Sequence, residues 1–181
     1  MARMGGYGSG TRFTYSRKTT VEDCRVLSAA RLMRLGMLRS NLHWPGSVTW
    51  TNTATGEKVS SIGFDADTGD DSGSARLHYT RTGDGEAVDY RVSLTTTALP
   101  WGGRRWWFIC PLTVGGRYCG RRVGKLYLPP GGRYFGCRHC HDLTYTSCQE
   151  SHKFDACLAA IGAPMGLSAR DVARILKGDS R

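Results

Sequence analysis

Cys110-Pro-Leu-Thr-Val-Gly-Gly-Arg-Tyr-Cys119 and, seventeen residues on, Cys137-Arg-His-Cys140 are the stretches that decide how this chain folds. A tetrahedral zinc ion takes two pairs of thiolates from turns that fold against each other, and a two-residue gap lets one tight turn supply two sulfurs. Cys137 and Cys140 have that spacing. The eight residues between Cys110 and Cys119 must loop out so that both sulfurs return to one ion, and Gly115-Gly116 makes such a loop feasible. Unliganded thiols would leave two cysteines three positions apart in a polar, arginine-rich segment without a reason. The expected ligands are therefore Cys110, Cys119, Cys137 and Cys140, holding Zn2+. Imidazole is also a good zinc ligand, so His139 or His141 in place of Cys110 or Cys119 stays open as a variant.

Working outward, Lys125-Leu-Tyr-Leu128 and Arg133-Tyr-Phe135 flank Pro129-Pro-Gly-Gly132 and read as paired strands, the layout of a zinc ribbon. Trp106-Trp-Phe-Ile109 leads into Cys110 as a further strand. From Ser47 to about Leu99, β-branched and aromatic residues alternate between turn signals at Thr55-Gly56, Asp65 to Gly73 and Gly83-Asp-Gly85, which predicts antiparallel hairpins. Upstream, Thr20-Val-Glu-Asp23 matches a capping box, and Val21, Cys24, Leu27, Leu32, Leu35 and Leu38 follow at near-helical spacing, predicting one helix that ends around Gly36 or Leu38. Downstream, helices are expected over Tyr145–Ile161 and over Ala169–Lys177, the second capped by Ser168. The fold class is α+β: an antiparallel β-sheet with an N-terminal helix, a zinc ribbon and C-terminal helices. Its expected segments are a flexible basic arm over 1–19, a helix-plus-sheet domain over 20–100, the ribbon over 101–145 and the C-terminal helices over 146–181.

Charge is distributed unevenly. Residues 101–141 carry eight Lys/Arg and no acid, residues 1–44 eight against two, and residues 45–100 four against eight acids. A divalent ion on four thiolates lowers the cysteine segment to about +6, still strongly basic. Arg104, Arg105, Arg117, Arg121, Arg122, Lys125, Arg133 and Arg138 are interleaved with Tyr127 and Tyr134 and with Trp106, Trp107 and Tyr118. Guanidinium groups beside rings suit phosphate contact and base stacking, so the leading expectation is nucleic-acid binding, with DNA favoured over RNA. The blander account has these arginines solubilising a small module, with Trp106 in the sheet core and Trp107 a lid on the other side. A different class of function, a protein-interaction or inhibitor module docking on a larger enzyme or nucleoprotein assembly, rests on the acidic middle block.

Other features exclude more than they suggest. No run of roughly 18 apolar residues could span a membrane, and Met1 to Gly10 lack the apolar core of a signal peptide, so a cytoplasmic location without a membrane partner is expected. A reducing compartment turns the seven cysteines away from a disulfide framework. No paired-carboxylate, nucleophile-elbow or phosphate-loop motif is present, and the expectation is that the protein is not an enzyme. Asp65-x-Asp67-x-Gly69-x-Asp71 lacks the twelfth-position glutamate of a calcium loop and reads as a polar hairpin turn. Cys24, Cys148, His152 and Cys157 could assemble a second metal site, but their wide, unpaired spacing reads better as buried thiols and a surface histidine.

Cys137-Arg-His-Cys-His-Asp-Leu-Thr-Tyr145 and Cys119-Gly-Arg-Arg122 resemble zinc-ribbon knuckles of bacterial DNA-associated proteins. With Thr20-Val-Glu-Asp-Cys24, Trp101-Gly-Gly-Arg-Arg-Trp-Trp-Phe108 and Lys125-Leu-Tyr-Leu128, the layout over approximately residues 5–152 is similar to a family of small bacterial proteins met near mobile elements and prophages. That family's first knuckle is a compact Cys-Pro-x-x-Cys-Gly, so this chain departs from it by an insertion between Cys110 and Cys119. The resemblance implies a ribbon and a mobile-element setting, and no particular reaction.

Overall fold

The computed structural model describes residues 18–150 and 155–176. Of the basic arm expected over 1–19, all but Lys18 and Thr19 lies outside the described residues, as do His152 and the end of the last helix.

The alternation in the middle of the chain produces an antiparallel meander. Its strands are preceded by β1 (Arg25–Ser28) and helix α1 (Ala29–Arg34) and run β2 (Leu42–Trp44), β3 (Ser47–Thr51), β4 (Lys58–Thr68), β5 (Ser72–Thr80), β6 (Ala87–Ala98) and β7 (Arg104–Ile109). Short strands β8 (Thr113–Val114), β9 (Arg117–Tyr118) and β10 (Arg122–Val123) and the longer β11 (Lys125–Leu128) follow. The main sheet has the order β10-β7-β6-β5-β4-β2, with β3 also paired to β4. Helices α2 (Thr146–Glu150), α3 (Asp155–Gly162) and α4 (Ala169–Leu176) close the chain. The fold is α+β, as expected.

Because side chains alternate across a strand, one face of the sheet is apolar and the other polar. Phe64 and Ala66 of β4, Ala75 and Leu77 of β5, Val92 and Leu94 of β6 and Trp106 and Phe108 of β7 all bury against Leu27, Leu32, Leu38, Leu126 and Phe135. Fully burying each large side chain stabilises by about 1.5–3 kcal/mol. The open face carries Asp65, Arg76, His78, Asp89 and Arg91, with Arg76 paired to Asp89 across the strands. The Asp65–Asp71 segment runs along β4 into a hairpin turn, in which the Gly69 N–H bonds the Ser72 carbonyl at 2.9 Å.

The single N-terminal helix is the main correction. Thr20 and Asp23 do form the capping box, Thr20 Oγ1 donating to Asp23 Oδ2 at 2.6 Å, but it caps one tight turn over Val21–Asp23. Cys24 is then extended, with φ −90° and ψ 152°, and Arg25–Ser28 pairs antiparallel with Lys125–Leu128. A strand partner a hundred residues away outweighs local helical preference here, as tertiary context commonly does. The helix restarts with Ser28 Oγ accepting from the Arg31 N–H and ends where Gly36 takes φ +71°. Met37 N–H then bonds the Leu32 carbonyl at 2.9 Å and Gly36 N–H the Met33 carbonyl at 3.0 Å, which caps the helix end.

Of the strands expected to pair around Pro129–Gly132, only Lys125–Leu128 is one. Its antiparallel partner is β1, and the Arg133–Phe135 side supplies a single bridge, Tyr127 to Gly136. Tyr79 Oη donates to the Arg133 carbonyl at 2.6 Å and the Phe135 N–H donates to Tyr90 Oη at 2.8 Å, while Trp50 stacks on Phe135 at 6.1 Å between centroids. The returning segment is thus anchored on the sheet core. Downstream, the segment expected to be helical is helical over Thr146–Glu150 and Asp155–Gly162, with residues 151–154 outside the described ones, and α4 begins after Ser168 as expected.

Candidate metal centre

Two turns bring four cysteines together. Strand β7 delivers Cys110, whose N–H bonds the Arg121 carbonyl at 2.9 Å. The eight-residue insertion folds as its own hairpin, Thr113 opposite Tyr118 and Val114 opposite Arg117. Gly115 and Gly116 make its two-residue turn with φ of +57° and +76°, a mirror-image geometry that suits the twist of a tight hairpin. The hairpin returns Cys119 to Cys110, with the Cys119 N–H on the Leu112 carbonyl at 2.8 Å. On the opposite side Cys137 and Cys140 share one turn, and the Cys140 N–H points to Cys137 Sγ at 3.4 Å. The Cys137 N–H points across to Cys110 Sγ at 3.2 Å. Such N–H donors orient thiolates and stabilise their charge.

All four sulfurs lie within 4.8 Å of one another. Cys110 to Cys140 is 3.8 Å and Cys119 to Cys137 is 3.9 Å. A disulfide needs about 2.05 Å. An ion bonded to sulfur at about 2.3 Å in a tetrahedron puts its ligands about 3.8 Å apart. The cluster can therefore hold a metal ion. As thiols, Cys110 is pushed up to about 11 by burial and Cys140 is raised by burial and by its neighbouring thiols. Cys119 is also opposed by burial, yet falls below the usual thiol value because the Arg121 N–H and the adjacent thiols favour its charged form. Four thiols are poor company for one another's charge, and a divalent cation reverses that.

Neither histidine is needed to complete the set. His139 is exposed, and His141 is half-buried with Nε2 facing no hydrogen-bond partner. Gly136 is confined by this packing: a Cβ there would stand 2.1 Å from Leu112 Cδ1 and 2.9 Å from His141 Nε2. The N-terminal segment straps the second turn from outside. Val21 N–H bonds the Thr144 carbonyl at 2.9 Å, and Cys24, Tyr127 and Leu143 form a small satellite core. Cys24 is buried, its thiol pushed up to about 11 by that burial and by Asp23 and Glu22, whereas Cys148 and Cys157 are exposed rather than buried.

The basic and aromatic residues singled out from sequence fall into three groups. Arg117, Arg121 and Tyr118 line a cleft of about 400 Å³ beside Cys119, His139 and Cys140. Arg105 and Arg122 lie over the Trp107 ring at 4.2 and 5.4 Å on the sheet's open face, where Thr97 Oγ1 accepts from Trp107 Nε1 at 2.9 Å and from Arg122 at 3.2 Å. Lys125 is exposed on β11, and Arg138 sits over Tyr145 at 5.3 Å. One expectation is corrected, and three further residues have partners the sequence did not suggest. Tyr127 is buried in the satellite core and offers no ring for stacking. Arg104 pairs with Asp71 and Arg133 with Glu86, so acids of the middle block neutralise both. Tyr134 is half-buried edge-on to Tyr90 at 5.0 Å, with the Arg133 guanidinium over its ring at 5.1 Å. Trp106 is core and Trp107 faces the open side. The Arg105–Trp107–Arg122 stack joins residues separated in sequence, and strand alternation alone would have found only its first two members.

No protein-family model, curated protein or solved structure matches this chain. Among the described residues no helix is long and apolar enough to cross a membrane.

Proposed function

We propose that the four cysteines bind Zn2+ structurally and that the protein is a nucleic-acid-binding accessory or regulatory factor, acting in the mobile-element setting its ribbon resembles. The near-tetrahedral sulfur spacing supports zinc, the ion that four-thiolate ribbons of this kind take. A complete thiolate shell leaves no open position for water, so the reading gives the ion no catalytic part.

The observation that carries nucleic-acid binding is the set of cations left unneutralised around the centre. Among the described residues, Arg105, Arg117, Arg121 and Arg122 form no ion pair with an acid, and they lie beside exposed or half-exposed rings. Guanidinium groups so placed bind phosphates and release counterions. DNA is the favoured partner. The test is titration of labelled DNA and RNA at two ionic strengths. Affinity should fall steeply with salt, and the double variant Arg121→Glu, Arg122→Glu should flatten the slope. Salt-insensitive or absent binding would remove the reading.

The docking-module alternative is weakened at its original support, because Asp71, Asp84, Glu86 and Asp89 are engaged by the protein's own arginines. What favours it instead is the C-terminal pair of helices and the turn between them, where Ile161, Met165, Ile175 and Leu176 are exposed. Pull-down after nuclease treatment separates the readings, since only a direct protein partner survives removal of nucleic acid.

A further inference from the structure

The most exposed large apolar side chain among the described residues is Trp101, 96 % accessible, at the tip of the hairpin joining β6 and β7. A single exposed indole is unremarkable by itself. This one is held out by a built turn. Pro100 sets the second turn position, Gly102 N–H bonds the Leu99 carbonyl and Leu99 N–H the Gly103 carbonyl, each at 3.1 Å. Gly102 and Gly103 take φ of +88° and +82°, values a side chain would oppose. The ring is therefore presented without the ordering cost a loose loop would bring on binding.

Strand β7 continues from that tip down to the metal centre. Three residues of strand, roughly 10 Å, separate Arg104 from Trp107, and Cys110 lies the same distance beyond. Along this line stand Trp101, the Arg105–Trp107–Arg122 stack and then Arg117 and Arg121 at the cleft. At the level of Arg105 the sheet is only the β6–β7 ribbon, since β5 ends at Ser72 opposite Thr95 and β10 pairs no farther than Phe108 and Ile109. An indole at its tip can stack only on a base whose face is uncovered; in a duplex neighbouring bases cover those faces, whereas a single strand leaves them free.

We infer that the β6–β7 hairpin is a stacking finger for single-stranded nucleic acid, with Trp101 seating an unpaired base while Arg105 and Arg122 hold phosphates farther along β7. This rests on the nucleic-acid reading above. The unpaired Arg105, Arg122, Arg117 and Arg121 beyond the tip favour a polyanion over an apolar partner.

The experiment uses the full chain loaded with Zn2+ and fluorescence anisotropy against a labelled oligo-dT strand of about twelve nucleotides, within the span of single-strand sites. The matched duplex is titrated in parallel. Single strand is expected to bind more tightly than duplex. Trp101→Ala should weaken single-strand binding about tenfold with an unchanged salt slope, Trp101→Phe should recover part of the loss, and duplex binding should be unmoved. Trp101 contacts no core, so circular dichroism and melting temperature should match the parent. If the parent binds strand and duplex equally and Trp101→Ala changes neither, the finger is overturned and nucleic-acid binding stands. If the parent binds neither, both readings fall together.

Discussion

The meander and the cysteine turns solve the same problem with different materials. Between β3 and β7 the chain is held by an apolar face in which Phe64, Leu77, Val92 and Phe108 are excluded from water. Between Cys110 and Leu143 it has few buried side chains of its own, chiefly Leu126, Phe135 and the cysteines, and its strands are only two to four residues long. A segment with so little apolar area needs a staple, and four convergent sulfurs are one. The two regions are nevertheless not independent, because Leu126 and Phe135 belong to the sheet's own core.

That comparison can be broken most forcefully at the metal. Structural zinc contributes on the order of 10 kcal/mol in zinc-finger peptides at neutral pH. Cys137→Ala, or chelation, should abolish bound zinc by elemental analysis and lower the melting temperature more than any other single change. Because the core is shared, one cooperative transition should move as a whole. A separate early transition would show that the turns melt alone.

Phe64→Ala tests the other material. It should cost about 3–5 kcal/mol in denaturant unfolding, with zinc content unchanged below the transition. Gly136→Ala sits where the regions touch. The added methyl meets Leu112 and His141, and a loss of about 1–3 kcal/mol is expected, with weaker zinc retention in competition with a chelator.

The smallest effect belongs to the open face. The hydrogen bond from Arg76 holds the Asp89 carboxyl below the usual aspartate range. The contribution is present above the ordinary aspartate pKa and is lost as pH falls through the depressed folded value. The melting-temperature difference between parent and Asp89→Asn should be small at pH 6 and should close on acidification toward pH 2. A difference that persists there would assign the effect to something other than charge.

How much of this was legible in the sequence depended on how far the deciding partner lay along the chain. The convergence of the four cysteines could be read because Cys137 and Cys140 share a turn and Gly115-Gly116 allows the first loop to return. The meander could be read from alternation, and Trp106 and Trp107 fell on opposite faces as a strand requires. The stretch from Val21 to Leu38 was not legible as strand plus helix, since Leu27 fits a helical stripe equally well and its true partner is Leu126. Tyr127 looked like a stacking ring because its burial depends on that same distant pairing. Arg104 and Arg133 looked available because the acids that hold them come from other turns of the meander.

The pairing of Arg25 with Leu128 also sets an order of events during synthesis. At 5–20 residues per second, the first of these strands waits roughly 5–20 s for its partner to leave the ribosome. The meander has its hairpins in hand well before then, so the amino-terminal strand pairs only after the sheet it will flank has formed. Until that moment its edge is open to any other extended chain. Arrival of Lys125–Leu128 therefore ends a period of vulnerability on the nascent polypeptide, just as the last cysteines of the four-sulfur cluster are about to emerge.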